Sequence, residues 1–138
     1  ALAVCYDAAV PAHAQTAANA GAELYRVSPW YAAPEHQRLG IHLAARAMDH
    51  RMFALGANYA RSPTRDSCGG SGVWGPDGRC ERRAGFSVET MIAVIDHQQL
   101  DDLRRHDRDS TTTAAVTTTT AGTTTAASTT TAAGTTGD

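Results

Sequence analysis

A change of composition at Ser110 divides the chain into two kinds of polypeptide. Residues 111–138 contain 15 Thr, 7 Ala and 3 Gly, and they contain no Leu, Ile or aromatic residue. Such a segment cannot bury enough apolar surface to offset the entropy that it loses on ordering. We therefore expect a single folded domain over residues 1–108 and a disordered, low-complexity tail over residues 109–138.

The charged residues exclude several classes of function. All 12 basic side chains are Arg, so the chain contains no Lys that could form a Schiff base or serve a phosphate-binding loop. The net charge of −2 does not provide the basic face of a nucleic-acid binder, and we expect no nucleic-acid partner. The six His residues include no closely spaced pair such as His-x-x-x-His, so no metal site is predicted.

The apolar and Cys residues indicate where such a chain would be found. No apolar run approaches the 18 or more residues of a membrane span, so no membrane partner is expected. The first five residues are apolar but lack the basic region of a secretory signal, and they read as a strand, as if the chain began within a fold. Three Cys residues, at positions 5, 68 and 80, are an odd and low number that favours reduced thiols and a cytoplasmic location.

The amino-terminal third has the pattern of a strand–helix–strand unit. Leu2–Cys5 is a short apolar run typical of a buried strand. Pro11 suits the first turn of a helix, and Gly21 suits the position just after its end. Leu24–Val27 reads as a second strand. This order predicts two parallel strands joined by a helical crossover.

A second helix is predicted to begin near Pro34. The apolar residues follow helical spacing and predict one buried face, formed by Ile41, Ala44, Ala45, Met48 and Met52. Arg38, His42, Arg46 and Asp49 are predicted on the other faces. A third strand is expected over Phe53–Asn58.

Short strands and turns follow. Gly72–Trp74, a turn at Gly75–Gly78 and a return strand within residues 79–86 predict a hairpin. Val88–Asp96 is largely apolar and predicts a further strand, after which a short helix should run from His97 to about His106. The order β-α-β-α-β-β-β-β-α predicts an α/β fold with more than one layer of helices.

Cys5 is the first candidate for a catalytic residue, because it stands where the first parallel strand turns toward a helix. Functional groups of open α/β sheets gather at the carboxyl ends of the strands. Backbone N–H groups and a helix amino terminus at that place favour a reactive thiolate. Position alone leaves open a buried, inert thiol, as well as a set of Cys5 with Glu35 and His36.

Several motifs in order resemble the carbon–nitrogen hydrolase, or nitrilase/amidase, superfamily. They cover residues 1–108 and are Cys5-Tyr6-Asp7 after a strand, Gly21-Ala22-Glu23, Arg46-Ala47-Met48-Asp49-His50, Ala57-Asn58, Gly69-Gly70-Ser71 with Pro76-Asp77-Gly78, Val94-Ile95-Asp96, and Arg104 or Arg105. The resemblance implies part of a four-layer α-β-β-α sandwich that usually forms homo-oligomers. Residues 1–108 would be the carboxyl-terminal portion of that domain.

The resemblance also implies a reaction and its residues, and it implies no metal or organic cofactor. Cys5 would attack an amide, nitrile or carbamoyl carbon of a small molecule and form a thioester that water cleaves, while the backbone N–H of Tyr6 would stabilise the oxyanion. The family's Glu and Lys precede its Cys, so their counterparts would lie upstream of Ala1. The chain by itself is therefore expected to be inactive.

Other residues and other functions remain open at this point. Trp30 and Tyr31 follow the second strand and are candidate substrate-binding residues, although aromatic packing explains them equally well. The family's Pro-Glu after the Cys is Pro11-Ala12 here, and its helical Glu-Asn is Asp49-His50, so the subfamily is not defined. The alternatives to a hydrolase are a non-catalytic oligomerisation module of the same fold and a relative that transfers the acyl group to an amine or lipid.

Overall fold

The computed structural model describes the backbone of residues 1–121 and the side chains of residues 1–111. It contains a compact unit, Ala1–Arg105, built on one sheet. The strands follow one another in the sheet in chain order: β1 (Leu2–Val4), β2 (Leu24–Ser28), β3 (Phe53–Gly56), β4 (Gly72–Trp74) and β5 (Cys80–Arg83). The pairs β1–β2 and β2–β3 are parallel, whereas β3–β4 and β4–β5 are antiparallel. The predicted α/β class, with crossovers first and a hairpin after, is confirmed.

Helix α1 (Pro11–Asn19) forms the first crossover and ends as its sequence predicts. Gly21 has φ +84°, the left-handed conformation that glycine adopts without a steric penalty. Its N–H donates to Ala18 O at 2.8 Å, and the N–H of Ala22 donates to Ala17 O at 3.1 Å. These two bonds form a Schellman motif, which stops the helix and directs the chain into β2.

Helix α2 (His36–His50) follows a 3₁₀ turn at Ala33–Glu35 and forms the second crossover. Its buried residues are Leu39, Leu43, Arg46 and Ala47, so the predicted apolar face is wrong. Ile41 and Met48, which were expected inside, are 65% and 48% exposed. The helix carries two apolar stripes of different phase, and the one that holds Leu39 and Leu43 packs against the sheet. Of the predicted face, Met52 is fully buried, just beyond the end of the helix.

The hydrophobic core lies between this sheet and the two crossover helices. It includes Ala3, Tyr25, Val27 and Ala54 from the strands and Ala14, Leu39 and Leu43 from the helices. The opposite face of the sheet carries Leu2, Val4, Leu24 and Leu55, which line an open groove of about 570 Å³. Strand alternation therefore places one row of side chains in the core and leaves the next row exposed or half-buried.

The segment predicted as a strand over Val88–Asp96 forms no strand, and that prediction is wrong. Val88, Ile92 and Val94 are 90%, 81% and 85% exposed. Apolar side chains alone do not make a strand, because the backbone N–H and C=O groups also need a neighbouring strand. None of the five described strands pairs with this segment.

Helix α3 (His97–Ala121) begins at the predicted cap, since Asp96 Oδ1 accepts the N–H of Gln98 at 2.9 Å. The helix continues past its predicted end near His106, so residues 109–121 of the expected disordered tail are helical. These residues contain no Gly or Pro, and the first such residue is Gly122. The remainder of the tail, residues 122–138, lies outside the described residues.

Candidate active site

The chain leaves β1 through a strained turn at Cys5. Cys5 begins a 3₁₀ turn, Cys5–Ala9, which we call the Cys5 turn, and its φ is +50°. A non-glycine residue in this left-handed region costs about 1–3 kcal/mol, which the surrounding contacts must offset. The thiol is exposed at the carboxyl end of β1. Asp7 closes the turn by accepting the N–H of Val4 on Oδ2 at 2.9 Å.

A buried guanidinium lies beneath the Cys5 turn. Arg46 is 7% exposed, and its Nε donates to Ala8 O at 3.1 Å while its Nη2 donates to Ala9 O at 3.3 Å. The sequence placed Arg46 on a face of α2 other than the predicted apolar one, and the structure shows that this other face is the buried one. Its polarity concealed the role, because helical periodicity alone does not distinguish a solvated Arg from one that binds buried carbonyls.

A Tyr–His pair supports the same turn from α1 and β2. Tyr25 is fully buried, and its hydroxyl lies 2.8 Å from His13 Nδ1. The same hydroxyl is 3.5 Å from Asp7 O in the Cys5 turn. Burial raises the pKa of Tyr25, the Asp7 charge adds to this effect, and the Arg46 charge opposes it. The Tyr25 hydroxyl therefore stays protonated and neutral, and it can form hydrogen bonds that support the turn.

The two candidate substrate residues occupy different environments beyond β2. Trp30 is 47% exposed, whereas Tyr31 is 7% exposed and its hydroxyl lies 2.7 Å from His42 Nδ1. Burial is the main reason that the pKa of Tyr31 is raised, and the charge of Cys5 also contributes to the rise. Cys5 follows the end of β1 and Tyr31 comes three residues after the end of β2, so both lie beyond the carboxyl ends of neighbouring parallel strands.

His42 is kept neutral beside this tyrosine. Burial lowers the pKa of His42, and the charges of Arg38 and Arg46 lower it further. A neutral imidazole has one donor and one acceptor nitrogen, so the tautomer decides the direction of the Tyr31–His42 bond: Nδ1 accepts from the Tyr31 hydroxyl when the ring proton is on Nε2, and donates to it when the proton is on Nδ1.

Asn58 lies two residues beyond β3 and is the centre of a polar network; in the sequence it was noted as part of the Ala57-Asn58 motif, but no role was assigned to it. It is 9% exposed, its Oδ1 accepts the N–H of Tyr31 at 3.1 Å, and its Nδ2 donates to Gly69 O at 2.8 Å. The same Nδ2 lies 3.1 Å from Cys68 Sγ. Burial raises the pKa of Cys68, so this thiol stays protonated, unlike a nucleophile. The Asn58 network joins the ends of β2 and β3 to the loop before β4.

Glu35 and His36 have partners of their own. Glu35 accepts the N–H of Ala32 on Oε2 at 3.1 Å and the Arg38 guanidinium on Oε1 at 3.0 Å. The ring of His36 lies beside that of Phe86, with a centroid distance of 6.1 Å. These contacts give both residues local roles at the start of α2. Among the described residues, no group of three or more His, Cys, Asp or Glu is arranged to hold a metal ion.

The sequence did not decide between Arg104 and Arg105 as the match to the family's Arg, and in the structure the two side chains have different partners. Arg104 is half-buried, with Nε donating to Arg51 O at 3.1 Å and Nη2 donating to Ala22 O at 2.9 Å. Arg105 is exposed and pairs with Asp102 on its own helix. Arg104 therefore attaches the start of α3 to the ends of α1 and α2.

The model of the carbon–nitrogen hydrolase family matches residues 1–105, which include the Cys5 turn, α2 and the start of α3. The chain belongs to the carbon–nitrogen hydrolase family. A curated relative of this hydrolase chain is "Hydrolase in pqqF 5'region" from Pseudomonas protegens. It is 30% identical over 106 residues, which are 76% of this chain and 37% of the relative.

Solved structures share the fold of this chain. A Saccharomyces cerevisiae protein of branch 10 of the nitrilase superfamily superposes with a TM-score of 0.73 at 22% identity, over 76% of this chain and 40% of the yeast protein. An amidase from Nesterenkonia sp. AN1 superposes with a TM-score of 0.64 at 30% identity, over 79% of this chain and 43% of the amidase. That amidase structure shows acrylamide added at its active-site cysteine. The hydrolase chain thus spans less than half the length of each of these three proteins.

Proposed function

We propose that the protein formed by this chain hydrolyses a non-peptide carbon–nitrogen bond of a small amide, nitrile or carbamoyl compound, with Cys5 as the nucleophile. The observation that carries the proposal is the exposed Cys5 thiol, held at φ +50° where β1 ends. Its support is the family match, together with the amidase neighbour that carries a covalent adduct at its own active-site cysteine.

For an amide, the proposed reaction has two halves. The Cys5 thiolate attacks the carbonyl carbon, the C–N bond breaks, and the nitrogen leaves as ammonia or an amine after it gains a proton. Water then attacks the thioester, gives up a proton to a general base, and releases a carboxylic acid and the thiolate. Each turnover consumes one water molecule and needs no redox partner.

The Cys5 turn supplies the proposed oxyanion donor. Tyr6 is the second residue of the 3₁₀ turn, and N–H groups at the start of such a turn have no carbonyl partner within it. We assign the Tyr6 N–H to the developing negative charge on the carbonyl oxygen. Trp30, with its exposed ring, is the proposed substrate contact, and Tyr31 is assigned to the wall behind it.

The general base and the second charge-stabilising group would come from outside these residues. Only four residues precede Cys5 here, none of them Glu or Lys, and the chain contains no Lys at any position. We therefore propose that the 138-residue chain alone does not turn over. Its share of the site is the nucleophile and one oxyanion donor.

The test replaces two exposed thiols in the longest gene product that contains this chain. Cys5→Ser should lower kcat/KM for ammonia release from a primary amide by at least about 10³-fold. Cys80→Ser is the matched control, because Cys80 is also exposed but lies on β5. Unchanged turnover in Cys5→Ser would remove Cys5 from the mechanism. Ammonia release by the 138-residue chain alone would refute its proposed inactivity.

A second candidate is a non-catalytic association module, favoured by the apolar surfaces outside the core. Leu2 and Val4 are 69% and 65% exposed on the open face of the sheet, and Ile41 and Met48 are exposed on α2. Such surfaces are typical of sites that another chain or domain covers. They also support the predicted homo-oligomer.

In the described part of the chain, no helix combines the length and apolar character needed to cross a bilayer, and the cytoplasmic location stays a prediction.

A further inference from the structure

We propose that Arg46 is a positioning residue that holds the Cys5 turn in the conformation that presents the thiol. The inference rests on the proposed role of Cys5 as the nucleophile. It concerns the backbone that carries the sulfur, and it assigns Arg46 no contact with the substrate.

The Cys5 turn needs support because of its conformation. Cys5 has φ +50°, which an L-residue adopts at a cost that neighbouring contacts must offset. The turn is five residues long, so the carbonyls at its end have few partners within it. Ala8, which bears one of these carbonyls, is 1% exposed, and a buried carbonyl without a donor is costly.

Arg46 satisfies two of these carbonyls at once. Nε and Nη2 of its guanidinium reach Ala8 O and Ala9 O at 3.1 Å and 3.3 Å. A planar fork can hold two adjacent acceptors in a fixed relation, whereas the point charge of a Lys ammonium cannot. The contact therefore defines the orientation of the end of the turn as well as its distance from α2.

The helix that carries Arg46 is itself firmly packed. One face of α2 packs against the sheet, and its residues Leu39, Leu43 and Ala47 are fully buried. The first strand of this sheet, β1, ends just before Cys5. Tyr25, whose hydroxyl lies 3.5 Å from Asp7 O in the turn, is fully buried in the same core. Because α2 is held firmly on the sheet, Arg46 is held in place too, and its hydrogen bonds fix the backbone of the turn that carries Cys5.

Arg104 provides a matched control. It also donates Nε and Nη2 hydrogen bonds to two backbone carbonyls, Arg51 O and Ala22 O, at 3.1 Å and 2.9 Å. Neither carbonyl belongs to the Cys5 turn. Arg46→Met and Arg104→Met therefore remove the same chemistry from two places, and only the first place supports Cys5.

The experiment uses the 138-residue chain and two measurements. The intraresidue HN–Hα NOE of Cys5 reports the left-handed φ. The rate of iodoacetamide alkylation of Cys5, divided by that of Cys80 and measured by peptide mass spectrometry, reports presentation of the thiol. In Arg46→Met we expect the NOE to weaken and the rate ratio to fall about fivefold or more, because small losses of alignment are costly at such a site. Arg104→Met should keep both native values.

The outcomes separate this proposal from the proposed function. A native NOE and rate ratio in folded Arg46→Met would overturn the role of Arg46, as would an equal change in Arg104→Met. If Arg46→Met fails to fold, Arg46→Lys carries the test: a lowered ratio supports the two-pronged contact, and a native ratio overturns it. Cys5→Ser with unchanged turnover in the longer gene product would instead refute the function, while the effect of Arg46 on the Cys5 backbone would stand.

Discussion

The two faces of the sheet are built from the same short strands but meet different surroundings. On one face, Tyr25 and Val27 are 0% and 2% exposed beneath α1 and α2. On the other, Leu2 and Val4 are 69% and 65% exposed beside an open groove. The comparison shows that apolar character alone does not make a core. An apolar side chain stabilises the fold where other residues cover it, as α1 and α2 do on the first face.

The largest expected effect tests this difference with two leucines. Leu43→Ala should lower the free energy of unfolding by about 3 kcal/mol, because it leaves a cavity between α2 and the sheet. Leu55→Ala, on the half-buried open face, should cost less than about 1 kcal/mol. Urea unfolding followed by circular dichroism measures both. Equal losses would mean that the open face is covered in solution.

The next effect concerns the close approach of α2 to β3. A Cβ added at Gly56 would overlap Leu43 Cδ1, so Gly56→Ala should destabilise the chain by about 1–3 kcal/mol. The double variant Gly56→Ala/Leu43→Ala should lose less unfolding free energy than the sum of the two single losses, because Ala at position 43 leaves room for the new Cβ. Additive losses in the denaturation cycle would contradict the contact.

A smaller effect concerns His42, on α2, which should make the free energy of unfolding depend on pH below about pH 6.5. The pKa of His42 is lowered in the folded chain, so below about pH 6.5 the unfolded chain binds a proton that the folded chain does not. This contribution to stability is therefore lost as the pH falls from the unfolded pKa toward the lowered folded one. His42→Gln should show a shallower loss of unfolding free energy over that range. An identical slope in both proteins would refute the effect.

The smallest effect is expected on the open face. Leu2→Ser should change the free energy of unfolding by less than about 0.5 kcal/mol, because the side chain is mostly exposed already. It should nevertheless reduce the fluorescence of a hydrophobic dye bound to the chain. Ile41→Ser, on the exposed stripe of α2, is the control for a general loss of apolar surface. A large destabilisation by Leu2→Ser would indicate that a partner covers the groove.

Local signals predicted those parts of the fold that depend on neighbours in sequence. Gly21 ends α1 because its left-handed φ has no steric cost, and the Gly75–Gly78 turn joins β4 to β5. Cys5 was recognised as a candidate nucleophile from its place after a strand and from the Cys-Tyr-Asp motif. Each of these features depends on a few neighbouring residues, so it can be predicted from the sequence.

Other features depended on contacts between distant segments. The sequence favoured Ile41 and Met48 as the buried face of α2, but the sheet selected Leu39 and Leu43. Asn58 connects two other segments through its side chain, which forms hydrogen bonds with the backbone of Tyr31 and of Gly69. Such approaches have no local signal.

The sequence by itself determined the order of strands and helices from β1 to β5, the turn that ends α1, and the presence of a thiol at the end of β1. Only the tertiary structure decided which face of α2 is buried, that Arg46 lies under the Cys5 turn, and that the Val88–Asp96 segment forms no strand. The physical reason is that propensity and periodicity act within one segment. The burial of a guanidinium or the pairing of a strand, in contrast, depends on a partner that the chain supplies from elsewhere.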